Sequence, residues 1–187
     1  MKKLMMIAAM VLMSTGAFAQ EMFIKPMVGG TLTTLTGDVS NNKMKVGLVA
    51  GAEFGYLFNE KMGVTAGLLY AMQGSAIKDH DEKVKMDYLN IPILFNFYII
   101  PGLAVKAGVQ PGFLMRSKWG DVDFKDYNKK FDLSIPLGLS YEISDFVIDA
   151  RYNLGTTNIL KNEHGTYWDG KARNSVIMLT VGYKIPL

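Results

Sequence analysis

The sequence has no cysteine and only 6 prolines in 187 residues. Without cysteine there is no disulfide framework and no thiolate metal centre. Histidine is nearly absent too, with 2 copies. After the first twenty residues no apolar run approaches the ~20 residues that a membrane-spanning helix needs. An excess of one charge sign is missing as well. The formal charge is +3, but Lys2 and Lys3 lie in a segment expected to leave, and the remainder holds 18 basic against 17 acidic residues. Nothing in that balance calls for a nucleic-acid partner. What is plentiful is glycine, 19 copies, with aromatics at 11%.

The opening stretch has the grammar of an export signal. Lys2 and Lys3 give a positive start, Leu4 to Met13 is an apolar run, and Ala17-Phe18-Ala19 forms an A-x-A cleavage site. Residues 1–19 are therefore expected to be a cleaved signal peptide and residues 20–187 the working domain. Cleavage after Ala19 makes Gln20 the first residue. N-terminal sequencing of the envelope form should find Gln20 or its cyclised product, and an intact Met1 there would refute export.

Beyond that point the apolar residues recur every second position, not every 3.6. In 46–58, Val46, Leu48, Ala50, Ala52, Phe54, Tyr56 and Phe58 oppose Gly47, Val49, Gly51, Glu53 and Gly55. In 131–142, Phe131, Leu133, Ile135, Leu137, Leu139 and Tyr141 oppose Asp132, Ser134, Pro136, Gly138, Ser140 and Glu142. The same contrast repeats over 62–73, 88–98, 103–113, 146–155 and the last stretch to Ile185, and more weakly over 23–33. That predicts eight strands of roughly ten residues, the length of a tilted bilayer-crossing strand. Tight connections at 59–61, 100–102 and 143–145 alternate with long polar ones near 34–44, 75–86, 115–130 and 156–172.

Eight antiparallel strands also make soluble lipocalin-like barrels. The two differ in which face is inside. The interior of an eight-stranded barrel holds a modest set of side chains. The bulky parity would overfill it, whereas the Gly, Ser and Asn parity fits. The expected fold is therefore an all-β, eight-stranded, up-and-down transmembrane barrel, bulky side out, with short periplasmic turns and long extracellular loops. Tyr56, Phe58, Phe97, Tyr141, Phe146 and Tyr183 sit near the short-turn ends, where an interfacial girdle belongs. The expected location is a Gram-negative outer membrane.

Several pieces carry a family likeness: YLNIPILFNFYI, GLAVKAGVQPGF, FDLSIPLGLSYEI, FVIDARYNLGTTNI and SVIMLTVGYKI. Together they resemble the PorT-like outer-membrane β-barrel family of Bacteroidota-type bacteria. The resemblance implies the same barrel fold and, for one branch, a part in protein secretion linked to gliding. Such barrels often end on an aromatic residue; this chain ends Ile185-Pro186-Leu187, and Tyr183 is the candidate for that role.

Catalytic chemistry finds little support. His80 in KDHDEK and His164 in NEHGTY fall on expected loops, where solvated charge is the simpler reading. No G-x-S-x-G, H-E-x-x-H or P-loop occurs, and Ser14 and Ser134 have no triad partners at plausible positions. No enzyme activity, cofactor or metal is expected. The inward parity does carry a balanced charge set: Lys25, Lys106, Arg151 and Lys184 against Glu53, Asp132, Glu142 and Asp149. Confined charges should pair. Arg151 is the natural hub, with Glu53 and either Glu142 or Asp149 as partners. Trp119, Tyr127, Tyr167 and Trp168 are candidate loop contacts. The functional expectation is a monomeric structural or interaction barrel in outer-membrane lipid, with envelope proteins as partners. A component of a secretion or transport assembly is the alternative; a small channel or soluble binding barrel ranks below both.

Overall fold

A chain that meets lipid on one side and a narrow lumen on the other must alternate at every step, and it must leave no strand edge unpaired. A computed structural model describes residues 21–37, 42–77, 83–119, 122–123, 130–157 and 172–187 of this chain. They form β1 (Glu21–Gly37), β2 (Lys45–Asn59), β3 (Met62–Ile77) and β4, made of Lys83–Asn90 and Ile93–Ile100. β5 (Leu103–Trp119), β6 (Phe131–Ile143), β7 (Phe146–Gly155) and β8 (Ala172–Tyr183) complete the set. Each strand pairs antiparallel with the next, and β1 pairs β8 from Met27↔Gly182 to Gly37↔Ala172. The sheet therefore closes into an eight-stranded barrel. At the short-turn end Ile185–Pro186 adds two rungs against Phe23 and Ile24, and Leu187 N–H donates to Met22 O at 2.9 Å.

The parity of the side chains follows the alternation in the sequence. Leu137, Leu139, Ile148, Leu179 and Val181 point outward and stay exposed, while Ser134, Ser140, Asp149, Arg151 and Thr180 are buried inside. Exposed apolar side chains on this scale need a nonpolar surrounding. Aromatics edge the band at both rims. Phe146 meets Tyr183 edge-on at 5.2 Å at the short-turn end, and Phe113 meets Phe131 at 5.7 Å near the other end. Phe131 and Tyr141 stand ten residues apart on β6. At ~3.3 Å per residue and a tilt of ~40°, that separates the rims by roughly 25 Å, the height of the apolar band of such barrels.

Local chemistry explains the tight turns. Asn59 Oδ1 accepts the N–H groups of Lys61 and Met62, both at 2.9 Å, which closes the β2–β3 turn. Gly102 takes φ 83°, a conformation open to glycine at little cost.

Two departures from the sequence pattern have physical causes. All strands but β7, which has 10 residues, are longer than ten, reaching 17 in β1 and β5. They run past the outer aromatic rim into segments expected as loops (34–37, 75–77, 83–86 and 115–119), because backbone pairing continues after the lipid contact ends. The expected single strand over 88–98 is also interrupted at Ile91–Pro92, since proline has no N–H for the ladder. The break is bridged on both sides: Gly67 N–H donates to Pro92 O at 2.9 Å and Ile91 N–H to Pro111 O at 2.8 Å. Inside-outside parity is unchanged across it.

Candidate functional site: the charged lumen

Alternation brings charged positions from several strands into the lumen at similar height. Lys25 on β1 lies directly across from Glu53 on β2, with Nζ 2.9 Å from Glu53 Oε2. Asp149 and Arg151, two apart on β7, share the inward face. Arg151 grips Asp149 with two donors, Nε to Oδ1 at 2.6 Å and Nη2 to Oδ2 at 2.8 Å. Its third nitrogen, Nη1, reaches across the lumen to Glu53 Oε1 at 2.5 Å. Lys106 on β5 closes on Asp149 Oδ2 at 2.7 Å, and Lys25 stands 3.7 Å from the same oxygen. The Glu53 contacts are ion pairs by distance, without the angles of directed hydrogen bonds.

Three cations thus hold two carboxylates, tying β1, β2, β5 and β7 together. Arg151 is only 2% exposed and Glu53 1%. Arginine suits the central place because its flat fork serves two acids at once. Isolated charges buried this deeply would cost several kcal/mol each, so the cluster stands only as a whole.

Long side chains need room to lie across a narrow barrel, and glycines supply it. A Cβ on Gly138 would stand 2.9 Å from Arg151 Cγ and 2.7 Å from Ala150 O. A Cβ on Gly67 would meet Glu53 Cγ at 2.6 Å, and one on Gly182 would meet Lys25 Cγ at 2.8 Å. Each of these glycines faces the stem of a lumen charge. Sequence reading placed them only as small inward residues; their pairing with particular charges depends on register. Gly138→Val should destabilise the barrel by about 1–3 kcal/mol, the usual cost of overpacking. Urea unfolding of the folded protein in detergent would measure it. A parent-like midpoint would show that Arg151 has space to spare.

The other expected charges lie apart from this cluster. Glu142 does not touch Arg151, because it sits at the rim of β6. It accepts from Tyr98 Oη at 2.7 Å and from Lys184 Nζ at 3.3 Å, while Lys184 also pairs with Glu21 at 3.1 Å. Lys184 Nζ lies 4.8 Å from the centre of the Phe23 ring. Phe23 itself is buried inside the short-turn end, where Gly55 leaves the space for its ring. Its role was not visible in the sequence, because the alternation of the first strand is weak. Asp132 stands toward the opposite end, accepting from Asn174 Nδ2 at 2.9 Å. Met27, Val49, Leu69, Ala71 and Met178 form a small buried apolar wall beside the charges.

The remaining candidates fall elsewhere. Trp119 ends β5, but its side chain lies outside the described residues. Tyr127, Tyr167, Trp168, His80 and His164, and Ala17, Ala19 and Gln20 of the cleavage site, also lie outside them. Among the described residues no three His, Cys, Asp or Glu side chains gather to hold a metal. The acids and bases of the cluster are consumed by one another, so the arrangement can brace and block but offers no free proton acceptor to a substrate. A depression of about 720 Å³ lies on the outside of the barrel, where Ala107 and Ala150 dip between Phe95, Phe97, Leu137 and Tyr152. Its apolar lining belongs to the lipid-facing belt.

A family model described as an outer membrane protein beta-barrel domain matches residues 18–161. The chain belongs to that family, and it is an outer-membrane protein of the Gram-negative envelope. Solved structures agree on the fold. Neisserial surface protein A has 15% identity and a TM-score of 0.60, with 87% of this chain and 97% of that chain covered. Ail, the attachment invasion locus protein of Yersinia pestis, in complex with the heparin analogue sucrose octasulfate, has 18% identity and a TM-score of 0.53, covering 90% of this chain and all of that one. OprG from Pseudomonas aeruginosa has 17% identity and a TM-score of 0.50, covering 91% and 98%. No curated protein matches the sequence.

Proposed function

We propose that this outer-membrane barrel is a non-enzymatic interaction protein that works from its long-loop side. The observation that carries this is the blocked lumen. Arg151, Lys25, Glu53, Lys106 and Asp149 are buried across its lower half with their charges mutually paired, and on this reading they close it to solutes. The short-turn end is held by the Glu21–Lys184–Glu142 pairs. The surface left for recognition is the extracellular rim, with Trp119, Tyr127, Tyr167 and Trp168 as aromatic anchors. A barrel of this fold does take ligands: Ail is crystallised with sucrose octasulfate.

A second reading is membership in a secretion or transport assembly. Its support is the likeness of YLNIP and ARYNLG to the PorT-like family, one branch of which takes part in secretion. One experiment serves both. Cells are crosslinked, and the barrel is purified from detergent-solubilised outer membrane. A partner whose yield falls when Trp168 and Tyr167 are replaced by serine supports the interaction role. Recovery of secretion components would favour the assembly. Recovery of no partner by parent and variant alike would overturn both.

A further inference from the structure

Above the charge cluster the lumen encloses a small space. Its volume is about 10 Å³, and Gln73, Asn90, Gln110, Asp132, Asn153 and Asn174 are among its walls. That is room for about one water-sized particle. All six side chains are at least nine-tenths buried. Four of them carry an oxygen without a hydrogen-bond partner: Gln110 Oε1, Asp132 Oδ1, Asn153 Oδ1 and Asn174 Oδ1. Among the described residues, no nitrogen on this wall is left in that condition.

The amides of Asn174 and Gln110 cannot simply turn over to become donors. Asn174 must present its NH₂ to the Asp132 carboxylate, 2.9 Å away. Gln110 gives its NH₂ to Ser134 Oγ at 3.3 Å, while the Ser134 proton goes to the Gln110 main-chain oxygen, also at 3.3 Å. Gln110 Oε1, Asn174 Oδ1 and Asp132 Oδ1 are therefore acceptors, and the Asn153 amide presents its oxygen beside them. One water donates only two protons and would leave one of the three fixed acceptors unmet. A cation can be met by all three and by Asn153 Oδ1 as well. The donors are carboxylate and amide oxygens, which suit hard ions rather than transition metals.

Charge selects among hard ions. Asp132 is the single carboxylate on the wall, and no ion pair reaches it among the described residues. One positive charge would neutralise the site. Two would leave an excess in a lumen whose lower cluster already sets three cations against two carboxylates. We propose that this cavity binds one monovalent cation of sodium size, held by Asp132 with the side-chain oxygens of Gln110, Asn153 and Asn174.

The test compares unfolding rates of the folded protein in phosphatidylcholine vesicles, in urea with chelator, at one ionic strength. Sodium chloride is set against tetramethylammonium chloride, whose cation is too large for the cavity. Unfolding several-fold slower in sodium is expected, because a ligand bound only to the folded state stabilises it. Asp132→Asn should unfold at the same rate in both salts. Asn153→Ala, which spares the carboxylate, should shrink the sodium effect. Equal rates for the parent in the two salts would overturn the site, whether or not either variant folds. So would a sodium effect that survives Asp132→Asn. Slowing by calcium chloride, added without chelator to the tetramethylammonium background, with none by sodium, would overturn the monovalent assignment.

Discussion

Arg151→Ala should lower the unfolding free energy of the barrel by about 3–5 kcal/mol, the cost of removing one partner from a buried ion pair. The reason lies in what remains. Asp149 loses both of its arginine hydrogen bonds, at 2.6 and 2.8 Å, and Glu53 loses the contact from Nη1. Lys106 and Lys25 stay beside them, so the carboxylates are not left bare, and that favours the lower part of the range. Arg151→Lys keeps the charge but cannot span Glu53 and Asp149 with one flat group, so it should fall between parent and alanine. Urea titration of protein folded in vesicles would rank the three. An alanine variant within about 0.5 kcal/mol of the parent, the range of ordinary surface changes, would mean that water solvates these charges and the cluster contributes little.

Leu137→Arg should cost about 2–4 kcal/mol if the residue lies near the bilayer midplane. Leu137 is 47% exposed on the outer face of β6, between Ile135 and Leu139, and well inside both aromatic rims. Three residues earlier Ser134 has the opposite parity and is buried in the lumen beside Gln110. Ser134→Arg would fail for a different reason, lack of space. Spin labels at the two sites separate the cases without relying on stability. The label at 137 should respond to oxygen dissolved in lipid and the label at 134 should not. Equal responses would remove the parity on which the whole barrel reading depends.

That parity was legible in the sequence because lipid and lumen impose opposite demands on neighbouring residues. Leu137, Gly138, Leu139 and Ser140 show it in four consecutive letters. Strand ends were not legible. At 115–117 the alternation breaks because the pairing with β4 slips by one residue between Leu114 and Arg116, so Met115 and Arg116 are both exposed before Ser117 returns to the interior, although β5 continues to Trp119. The interruption at Pro92 could have been read from the missing N–H, but its bridging by Gly67 and Pro111 depends on neighbours distant in sequence. The inward charges were visible as a set. Their grouping was not, because it depends on the stagger of the strands. Glu142 and Asp149 both share the inward parity with Arg151, yet one sits at the rim with Lys184 and the other under the guanidinium. The glycines opposite charged stems, Gly67, Gly138 and Gly182, belong to the same class of fact. So does the apposition of four acceptor oxygens around one small cavity, which joins residues from β5, β6, β7 and β8.

Ion flow through single molecules tests the sealed lumen most directly. Purified, folded protein is placed in a planar lipid bilayer and current is recorded under voltage. With Arg151, Lys25, Lys106, Glu53 and Asp149 locked across the lumen, the parent should insert without steady porin-like conductance. Large, long-lived conductance steps from the unaltered protein would contradict the account.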